Sequence, residues 1–242
     1  MRLNKFLSEA GVCSRREADR QIEAGNVMVN DVQATLGTQV NPEDKVVYGG
    51  KVIQAAESKI VIAFYKPVGI ECTSSLDVKD NIITYINFPV RIFPVGRLDK
   101  NSEGLILLTN DGDLSNGILK ARYFHEKEYV VTVNKSISQA FINHMSSGVE
   151  ILDQVTRPCV VRRVDERTFS IILTQGLNRQ IRRMCEALGY EVVKLKRIRV
   201  LNIKLENLKK GEWRHLTSDE LDILRTNIAA NIENPFSSQE ND

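Results

Sequence analysis

One carboxylate, Asp99, stands between Arg97 and Lys100 in the polar run Gly96-Arg97-Leu98-Asp99-Lys100-Asn101-Ser102-Glu103-Gly104. This run passes directly into apolar Leu105-Ile106-Leu107-Leu108 and then stops at the turn signal Asn110-Asp111-Gly112. A strand begun in this way holds a charged loop rigidly at the edge of a core, as a catalytic carboxylate requires. Taken alone, an aspartate in such a loop merely caps a turn. Paired with Glu103 or Asp111, it could instead serve as one of two carboxylates that cleave a glycosidic bond.

Other chemistries find little support. His125, His144 and His215 are far apart and no H-x-x-x-H spacing occurs, so no metal site is expected. Asn110-Asp111-Gly112-Asp113 lacks the distal glutamate of a calcium loop. There is no P-loop, no G-x-G-x-x-G, and no histidine placed to activate a serine. Cys13, Cys72, Cys159 and Cys185 are scattered without a C-x-x-C pair, which points to reduced thiols and a cytoplasmic protein.

The 242 residues, 42% hydrophobic and 26% charged, suit one large domain or a small one plus a medium one. No apolar run approaches the roughly 18 residues that cross a bilayer, and the start does not read as a secretory signal. A net charge of +2 conceals two basic clusters. The first twenty residues carry Arg2, Lys5, Arg15, Arg16 and Arg20, and the stretch from Asn178 to Val200 carries Arg179, Arg182, Arg183, Lys194, Lys196, Arg197 and Arg199. Two such patches on a nearly neutral chain suggest a polyanion engaged at two places.

Residues 1–58 read as a compact unit. Leu3, Phe6, Leu7 and Ala10 recur at helical spacing up to Gly11, and Ser14-Arg15-Arg16-Glu17 is a capping box opening a second helix that stops at Gly25. Val27 to Val32 and Lys45 to Ile53 read as strands joined by tight turns. Gln54 to Ser58 looks like a linker. A domain over residues 59–230 then begins with a buried strand, Ile60 to Tyr65, ended by Lys66-Pro67-Val68-Gly69. Short helices are expected near 81–86 and 113–119, and Ser138 caps another running to about Ser147. Strands are expected over 128–133, 160–161, 169–173 and 192–200. Asn178 should start a helix that ends at Leu188-Gly189, and Thr217-Ser218-Asp219-Glu220 should open a last one. Residues 231–242 are polar and read as a disordered tail. Helices and strands mixed without strict alternation predict an α+β domain on a largely antiparallel sheet.

Ser14-Arg15-Arg16-Glu17-Ala18-Asp19 through Gly25 to Asn30 resembles the S4 RNA-binding domain. Three later segments resemble the pseudouridine synthases, in the branch of the RsuA and RluF type that isomerises uridines in ribosomal RNA. They are Gly96 to Asp99 with Ser102 to Gly112, then Lys127-Glu128-Tyr129, and Gly176 to Met184 followed by Leu195-Lys196-Arg197. Gly211 to Thr217 also fits. The resemblance is to the RluF type in particular. It implies a uridine of 23S ribosomal RNA as substrate, in an assembling large subunit or as naked RNA, with a tRNA anticodon uridine as a second target. It implies no cofactor, no metal and no membrane, and a monomer is expected.

The resemblance also assigns roles. Asp99 is the nucleophile, acting on a nucleotide flipped out of its stack, where a carboxylate beside C1′ can add covalently or stabilise a cationic sugar. Arg182 is its basic partner, and Tyr129 stacks on uracil or moves a proton. Arg97 lies near the RNA backbone, and Ile181 and Leu195 line the uracil pocket. Arg2, Lys5, Arg15, Arg16, Arg20, Arg179, Arg183, Lys194, Lys196 and Arg197 are expected as RNA contacts. Spacing alone leaves open whether Arg182 serves the aspartate or the RNA-facing patch. The competing reading is a non-catalytic S4-type RNA-binding or ribosome-assembly factor.

Overall fold

The computed structural model describes residues 1–56, 58–75, 77–120 and 124–233. Its contacts divide the chain into two units. The smaller comprises residues 1–60 with 88–93 and 109–112; the larger comprises 61–87, 94–108 and the chain from Asp113 onward.

In the smaller unit α1 (Leu3–Glu9) and α2 (Arg15–Glu23) precede β1 (Val27–Val29), β2 (Val32–Gln33), β3 (Val46–Tyr48) and β4 (Lys51–Ile53). The Ser14 hydroxyl accepts from the Glu17 amide at 3.2 Å, the first half of the expected capping box. Asn30 and Asp31 both take positive φ, which lets β1 turn directly into β2 in a two-residue hairpin. The strands lie in the order β2-β1-β3-β4. Leu3, Leu7, Ala18, Ile22, Val27 and Val46 form the core. Arg15, Arg16 and Arg20 lie on the exposed side of α2, with Arg20 paired to Glu17.

The larger unit is α+β. Its elements are β5 (Val61–Lys66), α3 (Ile82–Ile86), β6 (Phe93–Pro94), β7 (Glu103–Thr109), α4 (Gly112–Leu119), β8 (Lys127–Val133) and α5 (Gln139–Ser147). Then follow β9 (Glu150–Ile151), β10 (Gln154–Val155), β11 (Val160–Arg163), β12 (Thr168–Leu173), α6 (Gln180–Ala187), β13 (Val192–Val200), β14 (Ile203–Lys204), β15 (Trp213–His215) and α7 (Ser218–Glu233). Among the described residues the main sheet runs β11-β12-β8-β13-β7-β5-β15. The ladders from β11 to β13 are antiparallel, and β13 meets β7 in parallel. One core lies around Phe141, Met145, Phe169, Ile171 and Met184, where the rings of Phe141 and Phe169 pack edge to face. A second gathers Leu105, Leu107, Ile118, Ile203, Leu224 and Ile228.

Gly104 makes the central parallel contact possible. Its φ is +112°, and an added Cβ would lie inside contact distance of the main-chain N, C and O of Arg197. A single methyl group there would force β7 and β13 apart.

Three expectations need adjustment. The helix expected from Asn178 begins at Gln180, because Arg179 takes a left-handed conformation (φ 51°) as its N-cap. β15 arises from the segment around Trp213, whose alternation is too short to read as a strand, and pairs with β5. Of the tail expected over residues 231–242, residues 231–233 belong to α7, which continues to Glu233, and residues 234–242 lie outside the described residues. No helix among the described residues is long and apolar enough to cross a membrane.

Candidate active site

The loop carrying Asp99 is pinned from several sides. Lys66, at the end of β5, is fully buried, and burial pushes its ammonium below the ordinary lysine range. That ammonium donates to the carbonyls of Pro67 and Ile70, both at 2.8 Å, and reaches the Lys100 carbonyl at 3.5 Å. The Gly69 amide donates to the same Lys100 carbonyl at 2.8 Å. The Leu98 amide donates to the Cys72 sulfur at 3.3 Å, and the Ser102 amide closes a turn on the Asp99 carbonyl at 3.0 Å. Outside, the Lys100 ammonium pairs with Glu71 and Asp80. The Lys66-Pro67-Val68-Gly69 turn is therefore part of the site. Sequence reading saw in it only a strand end, although a lysine closing a wholly apolar strand before Pro-x-Gly was a usable signal.

Arg182 projects from α6 towards this loop. Its guanidinium donates to the Asn101 carbonyl at 3.0 Å, the Ser102 hydroxyl at 3.3 Å and the Val192 carbonyl at 3.3 Å. Its Nε is buried without a hydrogen-bond partner and faces Asp99 Oδ2 at 3.9 Å. Arg179 Nη1 approaches the same oxygen at 3.6 Å. Arg183 turns the other way and donates to the Asn178 carbonyl and side-chain oxygen at 3.0 and 3.2 Å. Arg182 and Arg179 thus both stand within ion-pair distance of Asp99, while Arg183 faces away from it.

Asp99 opens on a cavity of about 470 Å³, within the usual range for small-molecule and cofactor pockets. Arg97, Tyr129, Ile181, Leu195, Arg179 and Arg182 line it as well. Tyr129 stands on β8 between Ile171 of β12 and Arg197 of β13, which fixes its position across the sheet. Lys127, two residues earlier and so on the same face, also lines the cavity. Burial, and then the charge of Arg197, push its pKa down to about 8. Nothing in the spacing of Lys127-Glu128-Tyr129 marks this lysine as enclosed.

The carboxylate count is decisive for the chemistry. Among the described lining residues Asp99 is the only acid, beside the cations Arg97, Lys120, Lys127, Arg179, Arg182 and Arg197. Glu103, considered as a partner for glycosidic cleavage, is absent from the lining and is paired with Lys194 and Lys210. Burial pushes Glu103 up, but the bond to Lys210 and the nearby Lys194 and Lys196 hold it below the ordinary carboxylate range. A two-carboxylate hydrolysis has no second acid here. A lone carboxylate beside a guanidinium, in a cation-lined cavity, is suited to attack on a sugar carbon of a polyanion.

Residues 60–187 match the RNA pseudouridylate synthase family profile. The chain belongs to this family. As a member it is an isomerase that acts on RNA, and residues 1–46 match the S4 domain. The dual-specificity RNA pseudouridine synthase RluF of Escherichia coli (strain K12) is 55% identical over 223 residues, covering 91% of this chain and 77% of the relative. The ribosomal large subunit pseudouridine synthase B of Bacillus subtilis (strain 168) is 35% identical, over 97% of this chain and 99% of that protein. A crystal structure of a pseudouridylate synthase superposes with a TM-score of 0.68 at 28% identity, over 93% and 99% of the two chains.

The expected RNA contacts divide. Arg179 and Lys194 are exposed, Lys196 sits over the Tyr65 ring at 5.4 Å, and Arg183 is folded back on Asn178. Arg197 is a correction. It is only 4% exposed, and its Nε donates to the Leu105 carbonyl at 2.7 Å. Enclosed by the sheet, it belongs to the cavity wall and does not contact the backbone of RNA lying on the surface. In the smaller unit Arg2, Arg15, Arg16 and Arg20 are exposed, and Lys5 is half-buried beside Glu9.

Proposed function

We propose that this enzyme converts one uridine of 23S ribosomal RNA to pseudouridine, with a tRNA anticodon uridine as a second substrate. Asp99 is the nucleophile, Arg182 its counter-ion, and Tyr129 the aromatic neighbour of the flipped uracil. The observation that carries the reading is the lone Asp99 carboxylate facing the buried, unpartnered Nε of Arg182 at the mouth of a cation-lined cavity. The names of the relatives, one acting with dual specificity and one on the large ribosomal subunit, support the substrate class.

The N1–C1′ bond breaks as electrons pass to the base, and C1′ is met by Asp99 either covalently or as a cationic sugar. The uracil turns over, C5 bonds to C1′, and the proton displaced from C5 leaves while N1 gains one. Product and reactant are isomers, so no electron or group is imported. Ile181 and Leu195, buried at 4% and 6% exposure, supply the apolar wall against which uracil can turn. Arg97 stands exposed at the rim, where the gap left by the flipped nucleotide must be filled. The chain acts as a cytoplasmic monomer on an assembling large subunit, without a metal.

Asp99→Asn should abolish pseudouridine formation while RNA binding persists. Deleting the gene and mapping pseudouridine in ribosomal and transfer RNA identifies the site that disappears. A variant that still forms pseudouridine at the wild-type rate would falsify the assignment.

A further inference from the structure

Two guanidinium groups converge on one oxygen of Asp99, and they are held very differently. Arg182 has 12% of its side chain exposed and donates to Asn101, Ser102 and Val192, groups on the catalytic loop and on β13. Arg179 has 43% exposed, and Asp99 is the only hydrogen-bond or ion-pair partner of its side chain among the described residues. Its 3.6 Å approach is an ion pair and not a hydrogen bond. An exposed pair of this kind is weak and screened by salt.

Arg179 is nevertheless placed there at some cost. It is a non-glycine residue at φ 51°, a left-handed conformation that side chains with a Cβ disfavour. Its side chain makes no capping bond to α6. The two guanidiniums also repel: burial, and next the charge of Arg179, hold Arg182 below its ordinary range. Arg179 is thus a weakly held cation beside a firmly held one, at a cavity lined by further cations. A phosphate can accept two parallel hydrogen bonds from a guanidinium, a stronger interaction than the one Arg179 now makes.

We infer that Arg179 is an exchangeable counter-ion, which rests on Asp99 while the cavity is empty and transfers to an RNA phosphate when the target nucleotide enters. The inference rests on the reading of Asp99 as the nucleophile. In the free enzyme the transferable cation screens the carboxylate, so that an approaching RNA backbone does not meet a bare negative charge. In the complex Asp99 keeps only Arg182, whose position the loop fixes, and the carboxylate that meets C1′ carries one counter-ion in place of two. Arg179 is then a residue of RNA binding whose second role, on the carboxylate, ends before chemistry begins.

The test uses the full chain and ribosomal RNA from a strain lacking the gene. Arg179→Asn is the informative variant, since asparagine tolerates the left-handed backbone and leaves α6 unstrained. The slope of log affinity against log KCl should become shallower by about 0.7, the loss of one phosphate contact to a single strand. KM should rise about tenfold while kcat falls less than threefold, and Arg179→Lys should recover the salt slope. An unchanged slope, or a kcat reduced more than threefold at saturating RNA, overturns the inference, because Arg179 would then stay on Asp99 during the reaction. Wild-type kcat in Asp99→Asn removes the nucleophile instead, whatever Arg179 does.

Discussion

Arg182→Met is the perturbation that most directly tests how the site works. Two unit charges 3.9 Å apart at an effective dielectric of about 20 attract by about 4 kcal/mol, and this is the most that the Arg182–Asp99 pair can supply. Asp99 has 37% of its side chain exposed, and solvent screening lowers that figure. The Asn101 and Val192 carbonyls and the Ser102 hydroxyl also lose a charged donor, so the loop that aims Asp99 loosens. A net loss near 3 kcal/mol at the reacting centre corresponds to a kcat lowered about 100-fold. Arg182→Lys should fall between, about tenfold down, because one ammonium cannot span both carbonyls and still face Asp99. Single-turnover pseudouridine formation at saturating RNA measures both, with thermal unfolding as a control for folding. A folded Met variant within threefold of the wild-type rate refutes the assignment of Arg182 as the counter-ion.

The remaining predictions concern the scaffold and pH. Gly104→Ala should destabilise the fold by about 3 kcal/mol, since the new methyl meets the backbone of Arg197 at a φ that disfavours alanine; an unshifted denaturation midpoint contradicts this. Lys66→Met leaves the Pro67 and Ile70 carbonyls without their buried donor and should cost about 2 kcal/mol, with a lower kcat from a less fixed Lys100; wild-type stability counts against it. Lys127 has a folded pKa of about 8 against an ordinary 10.5, so the unfolded chain binds more protons between those values. Stability should therefore rise with pH across that window, and the full cost, about 3 kcal/mol, applies below pH 8. Lys127→Met should lose that rise and be more stable than wild type at pH 7. Parallel pH dependences from urea denaturation of the two proteins would exclude the effect.

How much of this was legible in the chain depends on the kind of signal. The strand of β7 and its stop at Asn110-Asp111-Gly112 are local patterns, as are the Ser14 and Ser138 caps, and side-chain oxygens accept the expected amides in both. The start of α6 was displaced by two residues because Asn178 looks like a cap. Its side chain instead accepts from Arg183, while Arg179 turns left-handed. Arg197 was misplaced for a related reason. In a strand with alternating cations and aliphatic residues, period alone cannot say which cations face inward. The irregularity between Arg197 and Arg199 in the β8–β13 ladder shifts the facing of side chains at that point.

What positions Asp99 is long-range and could not be read from any one segment. The loop is gripped on one side by the Lys66 ammonium at the end of β5 and on the other by the Arg182 guanidinium from α6. Both grips act on backbone carbonyls of adjacent residues, Lys100 and Asn101, so the aspartate just before them has little freedom to rotate away. The parallel pairing Lys196↔Glu103 and Arg197↔Gly104 sets the register of β13 against the strand that follows this loop. α6 leads into β13, so the same register fixes where Arg182 stands relative to Asn101. Gly104 is what allows that register, because no larger residue fits against Arg197 there. A single glycine three residues beyond the grip therefore governs the geometry around Asp99.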